Sequence, residues 1–453
     1  MNTPAAQLRN WKVTTFIYLI LFAIVAGFSG KYSLRDGTSI ASLRSTTAFI
    51  LLSVFISVAL FFYVNGVSRG FGRFKDVLAA SLFPIALFSL ALVDIYRDTN
   101  WFKNYGDVFF LKDWINANIP VSKWLLGTTL LIDVFEFLNN IVFSISAPVF
   151  ITTASAVCMV LSTLVVLKTY GNKPYIVLPL TTPIWVLLSS GYDEYYPFIA
   201  GVFLFIALWV SINREVSNTT VFFVAAGIVP AIYSGFVLLA GFILVKLFIT
   251  VRSVNKFLLG LTMSAAAFVL AIEASWPMGH SNYLGNLYND LQTGDSRSIH
   301  NYRGSSMTES LPFFSFRFAL SGFHLRDVLF SMFFAGGSAA IVLVLLFLWK
   351  WLKNIKNAGF RGLFAVKRFS LPIVFLFSNI FYLVFVQAKL GPAMDIDLHF
   401  GQNLVLAIWC GFLLEKVFDE YALDARARSI ALSAVVSLNG PIIAALLIYG
   451  IQR

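Results

Sequence analysis

Apolar runs close to the ~20-residue length of a bilayer-crossing helix recur along this chain, and they limit its fold more than any other feature. A run in hydrocarbon must satisfy its own backbone N–H and C=O groups, which a helix does internally. Composition agrees: 58% of the residues are hydrophobic and 12% are charged, where a soluble domain carries roughly 25% charged. The expected fold is therefore all-α, a single polytopic transmembrane bundle over residues 1–453 with about 12–13 spans. Spans are expected near 12–29, 45–66, 77–93, 146–168, 175–190, 198–212, 219–230, 235–251, 257–274, 328–349, 369–388, 400–417 and 429–450.

Three stretches need separate treatment. The opening run has a signal peptide's basic flank and apolar core, but its length and the spans behind it predict an uncleaved first helix. The run 219–251 is too long for one helix and short for two. Pro230 and Gly235 break it, so two short helices are expected to meet at "PAIYSG". In "WLLGTTLLIDVFEFLNNIVF", residues 124–143, Asp133, Glu136 and Asn140 share one helical stripe. That pattern predicts an amphipathic helix in the membrane interface. Cys158 and Cys410 lie in separate apolar spans and imply no disulfide framework.

Lysine and arginine orient the bundle, because positive charge is held in cytoplasmic loops. Residues 350–368 alone carry six basic residues and no acid. With the amino terminus inside, this loop and most other basic loops are cytoplasmic. The net charge of +11 is then accounted for by loop asymmetry and anionic lipid, with no nucleic acid partner required. The same topology puts 94–145, 191–197, 275–327 and 389–399 on the outer face, where all four histidines also fall.

Those loops hold the candidate chemistry. "SGYDEYYPF" sets Asp193 and Glu194 side by side among Tyr192, Tyr195 and Tyr196. Adjacent carboxylates repel unless a cation or shared proton intervenes, and the short turn keeps them at the membrane surface. Asp395 and Asp397 form a second acidic turn beside Lys389 and His399; in an extended segment alternation puts both aspartates on one side. Asp98, Asp107 and Asp113 punctuate an aromatic-rich loop. Its aromatics predict packing against the membrane face, with Asp107, beside Gly106, the best-placed acid. Arg303 and Arg317 have the guanidinium geometry that grips phosphate bidentately. Against these readings stand solvated turns for the acids, an interfacial belt for the tyrosines and headgroup contact for the arginines. No HExxH spacing, P-loop or GxSxG elbow is present; the histidine spacing does not indicate a zinc site.

"GYDEYYP" resembles the Gly-Tyr-x-Glu-x-Tyr-Pro turn of bacterial membrane glycosyltransferases of the GT-C superfamily. "KLGPAMDIDLHF" resembles their Gly-Pro-x-x-Asp-Trp-Asp-Leu-Phe turn. "FHLRDVLFSMFFAGGSAAIVL" is similar to the stretch between the two, and "NYGDVFFLKDWI" to the first large outer loop, where a Gly-Asp pair supplies an essential acid. The likeness runs from about Tyr105 to Leu414. Asp193 departs from the apolar residue usual there, Ile396 from the tryptophan, and His399 from an aromatic. Two extra spans precede the Gly-Asp loop, so Asp36 in "KYSLRDGTS" rivals Asp107 for that role, with Asp98 a third candidate.

The resemblance implies a GT-C-like fold in the bacterial cytoplasmic membrane with its active face outside. It implies a sugar donor linked to polyprenyl phosphate and a glycan, lipid or protein acceptor. In the implied roles Asp107 and Glu194 are catalytic, with an acid taking the acceptor proton as the anomeric carbon inverts. Asp193, Asp395, Asp397, Lys389, Arg303, Arg317, Tyr192 and His399 contact substrate. The leaving phosphate needs positive charge more than a general acid. The resemblance fixes no cofactor; some relatives use a divalent cation, and the metal question stays open. A transporter or flippase of a lipid-linked sugar is the alternative from another class. It calls for broken-helix or ionisable features at mid-depth and an internal repeat; no repeat is evident, and the acids gather at one face.

Overall fold

The computed structural model describes residues 4–33, 43–68, 137–138, 141, 150, 173–183, 185, 219–232, 240–241, 243–244, 247–248, 251, 253–274, 320, 325, 329, 332–334, 336–345 and 400–452. Among these residues every regular element is helical and none is a strand. The helices are α1 (Pro4–Ser33), α2 (Leu43–Ser68), α3 (Pro174–Leu180), α4 (Thr219–Ile232), α5 (Val254–Ala274), α6 (Phe400–Glu420), α7 (Ala425–Ser437) and α8 (Asn439–Gln452). Three stretches among the described residues are long and apolar enough to cross a membrane: Thr47–Gly66, Val254–Ile272 and Ala425–Leu446. By length and composition this is a helical membrane protein.

The last of these spans is the most enclosed, with 78% of its apolar window buried against 33% for Thr47–Gly66 and 17% for Val254–Ile272. Small residues make that possible. Ser429, Ser433 and Ser437 repeat every four residues on α7 and are buried, while Ser53 and Ser57 do the same on α2. Hydroxyl-sized side chains let helix backbones approach where bulkier ones would hold them apart. Gly440 presses on Ser57 and on the Ser53 carbonyl, and the Ser429 hydroxyl donates to Asn65 Oδ1 at 3.0 Å. The two contacts run in opposite order along the chains, so α2 is antiparallel to α7–α8. Helix α1 joins the same group through α8, and its Tyr18 hydroxyl meets Ser437 Oγ at 2.7 Å. Outward, Phe16, Leu19, Ile24, Leu51 and Phe55 are exposed, as lipid-facing positions should be.

A second group forms where α3 packs on α6. Gly411 backs directly onto the Tyr175 backbone, and the Tyr175 and Phe412 rings stack with centroids 4.2 Å apart. The third group pairs α4 with α5. Gly260 lies on the Phe223 ring and Gly227 on the Ser264 carbonyl; equal steps in the same direction make these helices parallel. Consecutive parallel helices need a return pass between them. Helical residues at 240–241, 243–244, 247–248 and 251 occupy that interval. Phe248 and Phe223 both meet Phe257 edge-on, at 5.0 and 5.8 Å between centroids. Helix α4 runs through Pro230 to Ile232, so the expected break at Pro230 does not occur there; helical residues resume at 240, beyond 233–239, which lies outside the described residues. Of the expected interfacial helix, Phe137, Leu138 and Ile141 are helical, with Phe137 and Ile141 exposed; Asp133, Glu136 and Asn140 lie outside the described residues.

Three expected spans differ from what folds. The final span, expected at 429–450, begins at Ala425 and is two helices separated at Leu438. Pro441 lacks an N–H, and its ring opposes the carbonyl four residues back. The helix therefore stops at Ser437 and restarts with Pro441 in its first turn, where proline is tolerated. The span expected at 175–190 starts with Pro174 in the first turn, and its regular helix ends at Leu180. Thr181 and Thr182 fold their hydroxyls back to carbonyls of residues 177–179, and Pro183 disfavours helix at the residue before it. Within 328–349, Gly337 takes φ +57°, a left-handed conformation open to glycine at little cost.

All three interruptions meet at Asn439, which is 1% exposed. Its Nδ2 donates to the Thr181 carbonyl at 2.6 Å, and its Oδ1 accepts from the Ser338 backbone N–H, also at 2.6 Å. One amide thus supplies a donor and an acceptor to two broken backbones. Ser57 lies near the middle of the Thr47–Gly66 window and touches Gly440, so the joint sits at mid-depth of the apolar layer. We expect Asn439→Ala to leave two buried backbone groups unpaired, at about 1–3 kcal/mol each, and Asn439→Asp to be no better because a carboxylate cannot donate to Thr181. Thermal unfolding in detergent micelles checks this; melting temperatures equal to wild type would show that the amide is dispensable.

Candidate functional site

Asp107, Glu194, Asp193, Asp395, Asp397, Lys389, Arg303, Arg317, Tyr192 and His399 lie outside the described residues, as do the rival bases Asp36 and Asp98. What the described helices do define is the surface from which several of the loops bearing these residues depart. Its opposite is the more fully described. There α6 ends in a left-handed turn at Ala422, φ 46°, closed by Leu423 N–H to Phe418 O and Ala422 N–H to Asp419 O, both at 3.0 Å. This is the 6→1 and 5→2 pairing of a Schellman cap. Asp424 then caps α7, accepting from Ala427 N–H at 2.7 Å, and Arg428 ties the two helix ends together through Asp419 at 2.8 Å and the Leu423 carbonyl.

Lys173 belongs to the same surface. Its ammonium reaches Glu415 at 2.9 Å from the end of α3 and lies 5.8 Å above the Tyr175 ring. The hydrogen bond to Glu415 holds the lysine above its ordinary range, against a smaller opposing effect of partial burial. A raised lysine pKa means that the pair's stabilisation is present at neutral pH. It is lost only as pH climbs through the lysine's own titration, beyond about 10.4. About half of the Lys173 side chain faces solvent, so the pair contributes no more than about 1 kcal/mol.

From that surface α6 runs 21 residues back to Phe400, about 30 Å at 1.5 Å per residue, which is a bilayer core. Phe400 directly follows His399 and the Asp395–Asp397 turn in sequence. Helix α2, antiparallel to α7–α8, starts at that far surface, and the stretch linking it to α1 carries Asp36. Helix α3 leads away from Lys173 in the same direction, and the chain beyond it continues toward Tyr192, Asp193 and Glu194. Two of the acid-bearing segments, those of Asp36 and of Asp395–Asp397, thus adjoin helix ends at one surface, remote from the Lys173–Glu415 pair; α3 ends at mid-depth. Helix α5 ends at Ala274, ahead of the loop with Arg303 and Arg317.

Among the described residues, no three of His, Cys, Asp and Glu gather in a cluster able to hold a metal. The buried polar feature is instead the Asn439 joint, which the sequence reading did not single out. Its signals were available: "NGP" within an apolar span, "PLTTP" within another and "GGS" within a third. No family model, curated protein or solved structure matches the chain.

A shared surface for the acid-bearing turns has a direct check in intact cells. Single cysteines at Ser189, Gly391 and Asn104 should react with a membrane-impermeant maleimide, while cysteines at Tyr421 and Asn357 should react only after permeabilisation. Labelling of Tyr421 and Gly391 from the same side would overturn the two-surface arrangement.

Proposed function

We propose that this protein is a membrane glycosyltransferase that moves a sugar from a polyprenyl-phosphate-linked donor to a glycan, lipid or protein acceptor. In this reading it works at the outer face of a bacterial cytoplasmic membrane. The observation that carries the reading is the ordered set of turns "NYGDVFF", "GYDEYYP" and "GPAMDIDLHF", with their resemblance to GT-C enzymes. The directions of α2 and α6 support it, since their ends adjoin the segments of Asp36 and Asp395. A lipid-linked donor reaches such a surface sideways through the bilayer, and the acceptor arrives from water.

The division of labour follows from charge. One carboxylate, Asp107 or its rivals Asp36 and Asp98, takes the proton from the acceptor hydroxyl as that oxygen attacks the anomeric carbon. The carbon–oxygen bond to the lipid phosphate breaks, and the bonding pair leaves with the phosphate. Lys389, Arg303 and Arg317 stabilise the negative charge that develops there. Glu194, with Asp193, Asp395 and Asp397, orients sugar hydroxyls or a divalent cation, and Tyr192 and His399 line the sugar.

A second reading, transport of a lipid-linked sugar, is favoured by one observation: the interruptions at Thr181, Gly337 and Leu438 converge at mid-depth on Asn439. Discontinuous helices at that level are a feature of transporter binding sites. An assay with purified protein and a panel of polyprenyl-phosphate sugars separates the two, since only the transferase releases polyprenyl phosphate and forms a new glycoside.

On folded protein at matched amounts, Asp107→Asn should reduce turnover by roughly 10²–10⁴-fold while donor binding survives. Glu194→Gln should weaken affinity together with rate. Turnover of Asp107→Asn near wild type would move the base to Asp36 or Asp98.

A further inference from the structure

We draw no further inference here: the strongest candidate, the cluster of buried serine hydroxyls at Ser53, Ser57 and Ser338 around the Asn439 joint, is a set of small residues packed directly on Asn439 and Gly440, and nothing among the described residues shows what they would bind.

Discussion

Every backbone polar group at mid-depth in this bundle must find a partner inside the protein, because the surrounding medium supplies none. A continuous helix meets that demand automatically. Among the described residues it is broken at Thr181, Gly337 and Leu438, and the Asn439 side chain, both donor and acceptor, pairs the Thr181 carbonyl and the Ser338 N–H. A serine in its place would be too short to reach both segments, and a leucine could pair neither. The arrangement of α3, of 332–345 and of the final span all depend on this one residue, which is why the breaks in those segments coincide.

Close packing around the joint follows from the same demand. Gly337 sits where any β-carbon would strike Asn439 and Pro183, and Gly440 where one would strike Ser57. Both glycines bring backbone to within hydrogen-bonding and van der Waals reach of their neighbours. The serine repeat on α7 and the pair on α2 extend this approach along the helices, so the final span becomes the central one.

The relation of this scaffold to function is one of direction. Helices α2 and α6 share one surface at the ends adjoining the segments of Asp36 and Asp395, while α3 ends at mid-depth; the Schellman turn, Lys173 and Glu415 mark the opposite surface. The chemical roles of the acids distinguish the proposed transferase from a transporter.

The sequence by itself determined the helical class and the apolar spans at Thr47–Gly66, Val254–Ile272 and Ala425–Leu446, because run length and hydropathy act locally. It also displayed the acidic turns, whose meaning rests on motif resemblance. It did not reveal that "NGP", "PLTTP" and "GGS", at Asn439, Thr181 and Gly337, would be neighbours, for each is an ordinary helix breaker when read alone. Nor did it mark the last span as the core, since its serines look merely less apolar than the leucines around them. Only the tertiary structure decided these points. The pairing of an orphan carbonyl with an orphan N–H through one amide is a long-range event, set by which helices approach closely enough for side-chain size to matter.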